Sequence, residues 1–144
     1  MQENILLALL VAAVLVIATF AIHAVGLILL TRTVRREARE EAERHIKPAS
    51  FEGVSMVLVI VLGIFALHAL EIGLYALAYL GLDAIARLSD AIYFSAMTYG
   101  TLGYNDDLID PAWRLVAAIE GINGLLLIGW STAFFVTMMG RMIR

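Results

Sequence analysis

The sequence predicts an all-α membrane protein in which three transmembrane helices flank and support one re-entrant segment. Three observations carry this. Of 144 residues, 62% are hydrophobic and only 16% charged, too apolar for a soluble domain of this length. The apolar residues fall into three runs, each longer than the roughly 20 residues that cross a bilayer. Between the second and third runs stands a short, polar, glycine-bearing insert, Thr98 to Asp106. Irregular backbone at membrane depth is tolerated only where protein buries it or a water-filled path runs beside it.

The first run, Ile5 to Thr31, contains one ionisable residue, His23. A secretory signal fits it poorly, because Glu3 and no Lys or Arg precede it and the run exceeds a typical signal core. A retained first transmembrane helix is expected. Arg32 to Lys47 then turns strongly charged. Arg36/Glu40, Arg39/Glu43, Glu40/Arg44 and Glu43/Lys47 place opposite charges at i,i+4, as in a solvated helix that continues the span. Pro48 ends it. Two uses are open for this connector: a plain charged link, or a gating or lipid-sensing element at the membrane surface.

Gly53 to Leu82 is the second span, interrupted by His68 and Glu71. Asp83 to Ser89 is a short polar loop, and Ser89 or Asp90 is placed to cap the short helix that follows, Leu88 to Thr98. Ala112 to Gly140 is the third span, with Glu120 and Asn123 inside it. Residues 1–50 thus form an extra N-terminal unit ahead of a unit at 51–144. Eight of the ten basic residues lie in the 32–49 connector or at the C-terminus. Basic residues favour the cytoplasmic side, so the N-terminus and the insert are expected to face outward.

Within the insert, Gly103 takes positive φ at little cost, and Asn105 is among the few other types enriched there. Alternating handedness would turn successive carbonyls to one side. Four copies around an axis would then stack rings of oxygens able to replace a cation's hydration shell. Thr101-Leu102-Gly103-Tyr104-Asn105-Asp106 resembles the Thr-Val-Gly-Tyr-Gly-Asp selectivity filter of potassium channels. The resemblance extends over residues 51 to 140. Leu88 to Thr98 is similar to the family's pore helix, which ends in threonine and carries aromatics. Trp113-Arg114-Leu115-Val116-Ala117 is similar to the start of its inner helix, and Gly124 falls where many members have a hinge glycine. Three positions depart from the pattern. Leu102 replaces valine, Asn105 replaces the second glycine, and Gly100 stands where many members have threonine; all bear on ion selectivity.

The resemblance implies a homotetramer in membrane lipid that conducts potassium passively. It implies that the carbonyls of Thr101, Leu102, Gly103 and Tyr104, with the Thr101 hydroxyl, are the K+ ligands, and that Asn105 and Asp106 support them. Asp106 would brace the back of the filter, and the Tyr104 ring would turn away from the pore onto Tyr93 or Phe94. The outer side bears Asp83, Asp90, Asp106, Asp107 and Asp110 against Arg87 and Arg114, a charge balance that attracts cations. The alternatives are a weakly selective sodium/potassium channel, or a membrane metal-binding or proton-coupled protein built on His68, Glu71 and Glu120.

His68, Glu71, Glu120 and Asn123 are costly in hydrocarbon and are functional candidates for that reason. At about 1.5 Å per residue from Leu82 and Ala112, Glu71 and Asn123 lie about 16 Å deep, Glu120 about 12 Å and His68 about 21 Å. His23, counted from Ile5, lies about 27 Å deep and is expected outside this cluster. The cluster has three candidate uses: a hydrogen-bonded brace for the filter, a proton-sensing gate, or a metal site. Glu71 and Glu120 are expected to share a proton, or Glu71 to pair with a protonated His68. Gly121, Gly124 and Gly129 serve close packing or a hinge at Gly124, and Trp130, Ser131, Thr132 and Phe135 are expected near an inner cavity.

Other classes are excluded on composition. The absence of cysteine removes disulfide and thiolate chemistry. No basic surface for nucleic acid is present, and no nucleophile stands with a base, so no enzyme is expected. The first two spans hold no regular arginine series of the voltage-sensing kind.

Overall fold

The computed structural model describes residues 2–44, 51–103 and 105–142. Four helices account for most of them: α1 (Gln2–Arg44), α2 (Phe51–Gly81), α3 (Leu88–Tyr99) and α4 (Arg114–Met142). A 3₁₀ turn at Pro111–Trp113 leads into α4. There is no strand among the described residues. Among the described residues, three stretches are long and apolar enough to cross a membrane: Ile5–Val34, Val54–Gly81 and Pro111–Gly140. The helix α1 runs without a break from the first span to Arg44, as the charge spacing requires. Pro48 and the side chains of the i,i+4 ion pairs lie outside the described residues.

α1 and α2 pack antiparallel through a reciprocal pair of glycines. Gly26 leaves room for Leu67, and Gly63 leaves room for Leu30. Small residues at such crossings let backbones approach, which supplies van der Waals contact where lipid gives no hydrophobic drive. The buried side chains then form three layers. Near the loop that joins α2 to α3, Ala8, Ala12, Tyr75, Tyr79, Phe94 and Val116 pack together. Toward the far ends, Val34, Met56, Ile60 and Met138 form a second apolar cluster. Between them along each helix lie the buried polar residues: Thr19 and His23 on α1, Glu71 on α2, and Glu120, Asn123 and Ser131 on α4. The outward faces stay apolar, with Phe65, Leu62, Ile122 and Leu125 each more than half exposed, as suits contact with lipid or a second subunit.

Local hydrogen bonds set the ends of the two central helices. After α2, the Asp83 N–H donates to the Leu80 carbonyl and the Ala84 N–H to that of Tyr79. This is the Schellman pattern, with Asp83 left-handed at φ 52°. Ser89 and Asp90 do not cap α3, contrary to the expectation from sequence. The cap position falls on Arg87, which offers no side-chain cap. Asp90 sits inside the first turn, 2.9 Å from Arg87 Nε, where a carboxylate also complements the helix dipole.

Candidate functional site

α3 is a short helix set between α2 and α4, and the 98–106 segment leaves its C-terminal end. The contact with α4 is made by backbone. A β-carbon on Gly124 would lie 2.8 Å from the Tyr99 carbonyl carbon and 2.9 Å from its Cα, closer still to its oxygen. One turn earlier, a β-carbon on Gly121 would lie 3.4 Å from the Thr98 oxygen. Of the two uses open for Gly124, this geometry displays close packing.

The turn out of α3 is a second Schellman motif. The Thr101 N–H donates to the Thr98 carbonyl at 3.0 Å and the Leu102 N–H to the Met97 carbonyl at 2.9 Å. Thr101 occupies the left-handed position at φ 55°. This corrects the expectation for Gly103, which does not have positive φ. The reason is register: α3 extends through Tyr99, and its 6→1 bond fixes the left-handed residue two positions later. Thr101 is β-branched, for which this conformation is a genuine outlier. Asn105 opens a turn, its side-chain oxygen accepting the Asp107 N–H at 3.0 Å and its carbonyl the Leu108 N–H at 3.2 Å. The Tyr104 ring lies outside the described residues.

Asp106 is 58% exposed and stands 3.7 Å from Arg114 Nε, while Arg114 also donates to the Asp106 carbonyl. The segment is therefore tied by Asp106 to the start of α4. An open cleft of about 570 Å³ lies between the two, bordered by Thr98, Thr101, Gly103, Asp106 and Gly121. Asp110 caps the 3₁₀ turn by accepting the Ala112 N–H, and its own N–H bonds Ala84 in the preceding loop. Asp90 and Asp106 are thus paired with arginines and Asp110 is a cap. Asp83 and Asp107 are exposed without an ion pair among the described residues.

Behind this segment the polar cluster forms two nodes. At the first, Glu71 has no exposed surface, and Oε1 lies 2.8 Å from His23 Nδ1. Its Oε2 lies 3.1 Å from His68 Nδ1 and accepts the Tyr99 hydroxyl. His68 Nδ1 is 2.9 Å from the same hydroxyl, and His23 Nε2 is 3.3 Å from Ser131 Oγ. At the second node, Glu120 accepts from the Tyr79 hydroxyl and the Ser95 hydroxyl, each at 2.5 Å. Ser95 also reaches the Ile72 carbonyl, 3.0 Å away. Asn123 donates to Thr19 and Tyr75. Among the described residues the Asn123 carbonyl oxygen and the Thr98 hydroxyl are buried without a partner.

The expectation of a proton shared between Glu71 and Glu120 is corrected, because no hydrogen bond joins them among the described residues. Each carboxylate instead holds α3 from its own helix, Glu71 at Tyr99 and Glu120 at Ser95. His23, expected outside the cluster, is at its centre. The depth count began at Ile5, but Val11 and Val14 border the same hollow as Gly81 and Leu82. Counted from Val11, His23 lies about 18 Å deep, close to Glu71. Tyr75, Tyr79, Tyr99, Ser95, Thr19 and Ser131 are members that sequence reasoning missed. The i,i+4 series Glu71, Tyr75, Tyr79 was the signal available for two of them.

Ser131, Thr132 and Phe135 border a cavity of about 520 Å³ together with Phe65, His68 and Tyr99. Trp130 departs from this expectation. It turns toward α1, with its ring 5.3 Å from His23 and 6.1 Å from Phe20.

The short helix α3 is thus held between two apolar spans, and the glycine-bearing loop that leaves it is tied to the second of them. A protein-family model described as ion channel matches residues 54–141. The chain belongs to this family, the two-helix ion channels of potassium-channel pore type. The comparisons with curated proteins and with solved structures returned no match.

Proposed function

We propose that four copies of this chain surround a pore that conducts potassium passively across the cell membrane. The observation that supports this most is the position of Thr101-Leu102-Gly103, which follows a helix held end-on against the inner span at Gly124. One such segment cannot enclose a path, so closure requires symmetric copies. In the tetramer the Thr101 to Tyr104 carbonyls replace the K+ hydration shell, with Asn105 and Asp106 holding the outer turn. Residues 51–144 form the pore unit, and residues 1–50 add an extra N-terminal transmembrane helix and a charged cytoplasmic helix. The function is conduction and not catalysis.

Purified chain reconstituted in planar bilayers with potassium on one side and sodium on the other tests this. The expected reversal potential follows the potassium gradient. Reversal near zero would replace this reading with the weakly selective channel, which the departures at Leu102 and Asn105 favour. Absence of current from correctly assembled tetramers would remove both.

The connector sets the orientation. A cysteine at Glu40 is expected to react with a membrane-impermeant maleimide only from the cytoplasmic side, since residues 32–49 carry six basic groups. Labelling from outside intact cells would invert the topology and put the 98–106 segment at the inner face.

A further inference from the structure

Two imidazoles and a carboxylate from two helices converge at the first node, and the arrangement has the composition of a metal site. His23, His68 and Glu71 each offer one ligand atom, and these atoms all lie within 4.8 Å of one another. The two histidines present the same nitrogen, Nδ1, to different oxygens of one carboxylate, at 2.8 and 3.1 Å. We propose that His23, His68 and Glu71 bind a divalent cation of the zinc class.

The ligand chemistry selects the ion. Two neutral nitrogens and one carboxylate suit zinc and its neighbours in the first transition series, whereas calcium and magnesium require oxygen-rich shells. Metal bonds of about 2.0–2.1 Å put tetrahedral neighbours about 3.3 Å apart. The two contacts to Glu71 widen by up to about 0.5 Å, and the longer separations in the set, none above 4.8 Å, close toward the same value. Three protein ligands leave a fourth position. The Tyr99 hydroxyl, which touches both Glu71 and His68, borders this side.

The surrounding groups fit the same purpose. A histidine bound through Nδ1 carries its proton on Nε2 and orients best when that proton has an acceptor. Ser131 Oγ stands 3.3 Å from His23 Nε2. The Trp130 ring covers His23, which is fully buried. Entry is from the other histidine. His68 is 16% exposed and borders the 520 Å³ cavity, whose wall also carries Ser131 and Thr132. Binding requires both Nδ1 atoms unprotonated and Glu71 ionised, so uptake releases whatever protons the node holds. A hydrogen-bonded brace without metal would use Glu71 in the same place, and the experiment separates the two.

The test uses the purified full-length chain, stripped with chelator and titrated with Zn2+ against a chromophoric competitor. Because it reads binding, its result is independent of the conduction proposal. One zinc per chain is expected, with Mg2+ failing to compete. His23→Gln and Glu71→Gln are each expected to weaken binding about 100-fold, and Ser131→Ala about 10-fold, as for loss of an outer partner. Helical content and gel-filtration profile in zinc-free buffer report whether each variant folds. If the ligand variants fail to fold, Co2+ decides: wild type should give the visible bands of a four-coordinate N/O site, weakened in Ser131→Ala. The proposal is overturned if wild type takes up no stoichiometric zinc, if folded His23→Gln binds as wild type does, or if the Co2+ spectrum is that of the hexaaquo ion.

Discussion

Gly124→Ala lowers the stability of the folded chain by about 3 kcal/mol, at the upper end of overpacking costs. The added methyl group would meet the backbone of Tyr99, with the carbonyl carbon at 2.8 Å and Cα at 2.9 Å. A side chain could rotate away, but a backbone can move only with its helix. Tyr99 is the last residue of α3 and is also bonded to Glu71, so that helix is held from both sides. Gly129→Ala on the same helix has nothing within 4 Å of the new atom. It is expected to stabilise by about 0.5–1 kcal/mol, the ordinary helix preference of alanine. Thermal midpoints of both variants in detergent, read beside their tetramer fractions, check the contrast. A hinge glycine predicts a different outcome: Gly124→Ala would then keep or raise the midpoint and change only gating. That result would sink the packing account.

The spans and the short helix were legible because their signals are local. Long apolar runs, a polar insert and flanking charge give α1, α2, α3 and α4 nearly to their observed ends. How each helix turns about its own axis was not legible. Helices apolar on every side carry no stripe to mark the inward face, so only their few polar residues do. That is why Glu71, Glu120 and Asn123 could be singled out while Thr19, Ser95 and Ser131 could not. The axial offset of α1 was equally hidden. It depends on Gly26 meeting Leu67 and Gly63 meeting Leu30, and it alone brings His23 level with Glu71. The left-handed residue was misplaced for a third reason. Residue type favoured Gly103, but the hydrogen bonds that close α3 after Tyr99 put the position at Thr101. The strain held there, of order 1–3 kcal/mol, is the kind that gathers at functional sites.

Glu120→Ala is expected to cost about 1–3 kcal/mol, because it removes the buried acceptor to which two hydroxyls donate. Tyr79 and Ser95 each donate to a separate oxygen of this carboxylate, and Glu120 has no exposed surface. Ser95 keeps the Ile72 carbonyl as a second acceptor, which moderates its share of the loss. Glu120→Gln retains the shape and one acceptor, and its loss should stay near 1–2 kcal/mol. The triple change Glu120→Leu, Tyr79→Phe, Ser95→Ala removes donors and acceptor together. It should recover much of what Glu120→Ala loses, since replacing both partners of a buried bond is far milder than removing one. Chemical denaturation or thermal midpoints of the four proteins measure this directly. Ion preference provides the second readout. Glu120 bonds the body of α3 at Ser95, so its amide variant should leave reversal potential unchanged while tetramer stability or open probability falls. A strong shift in reversal potential would place Glu120 on the ion path. Equal stability of Glu120→Ala and wild type would show that the carboxylate faces water and braces nothing.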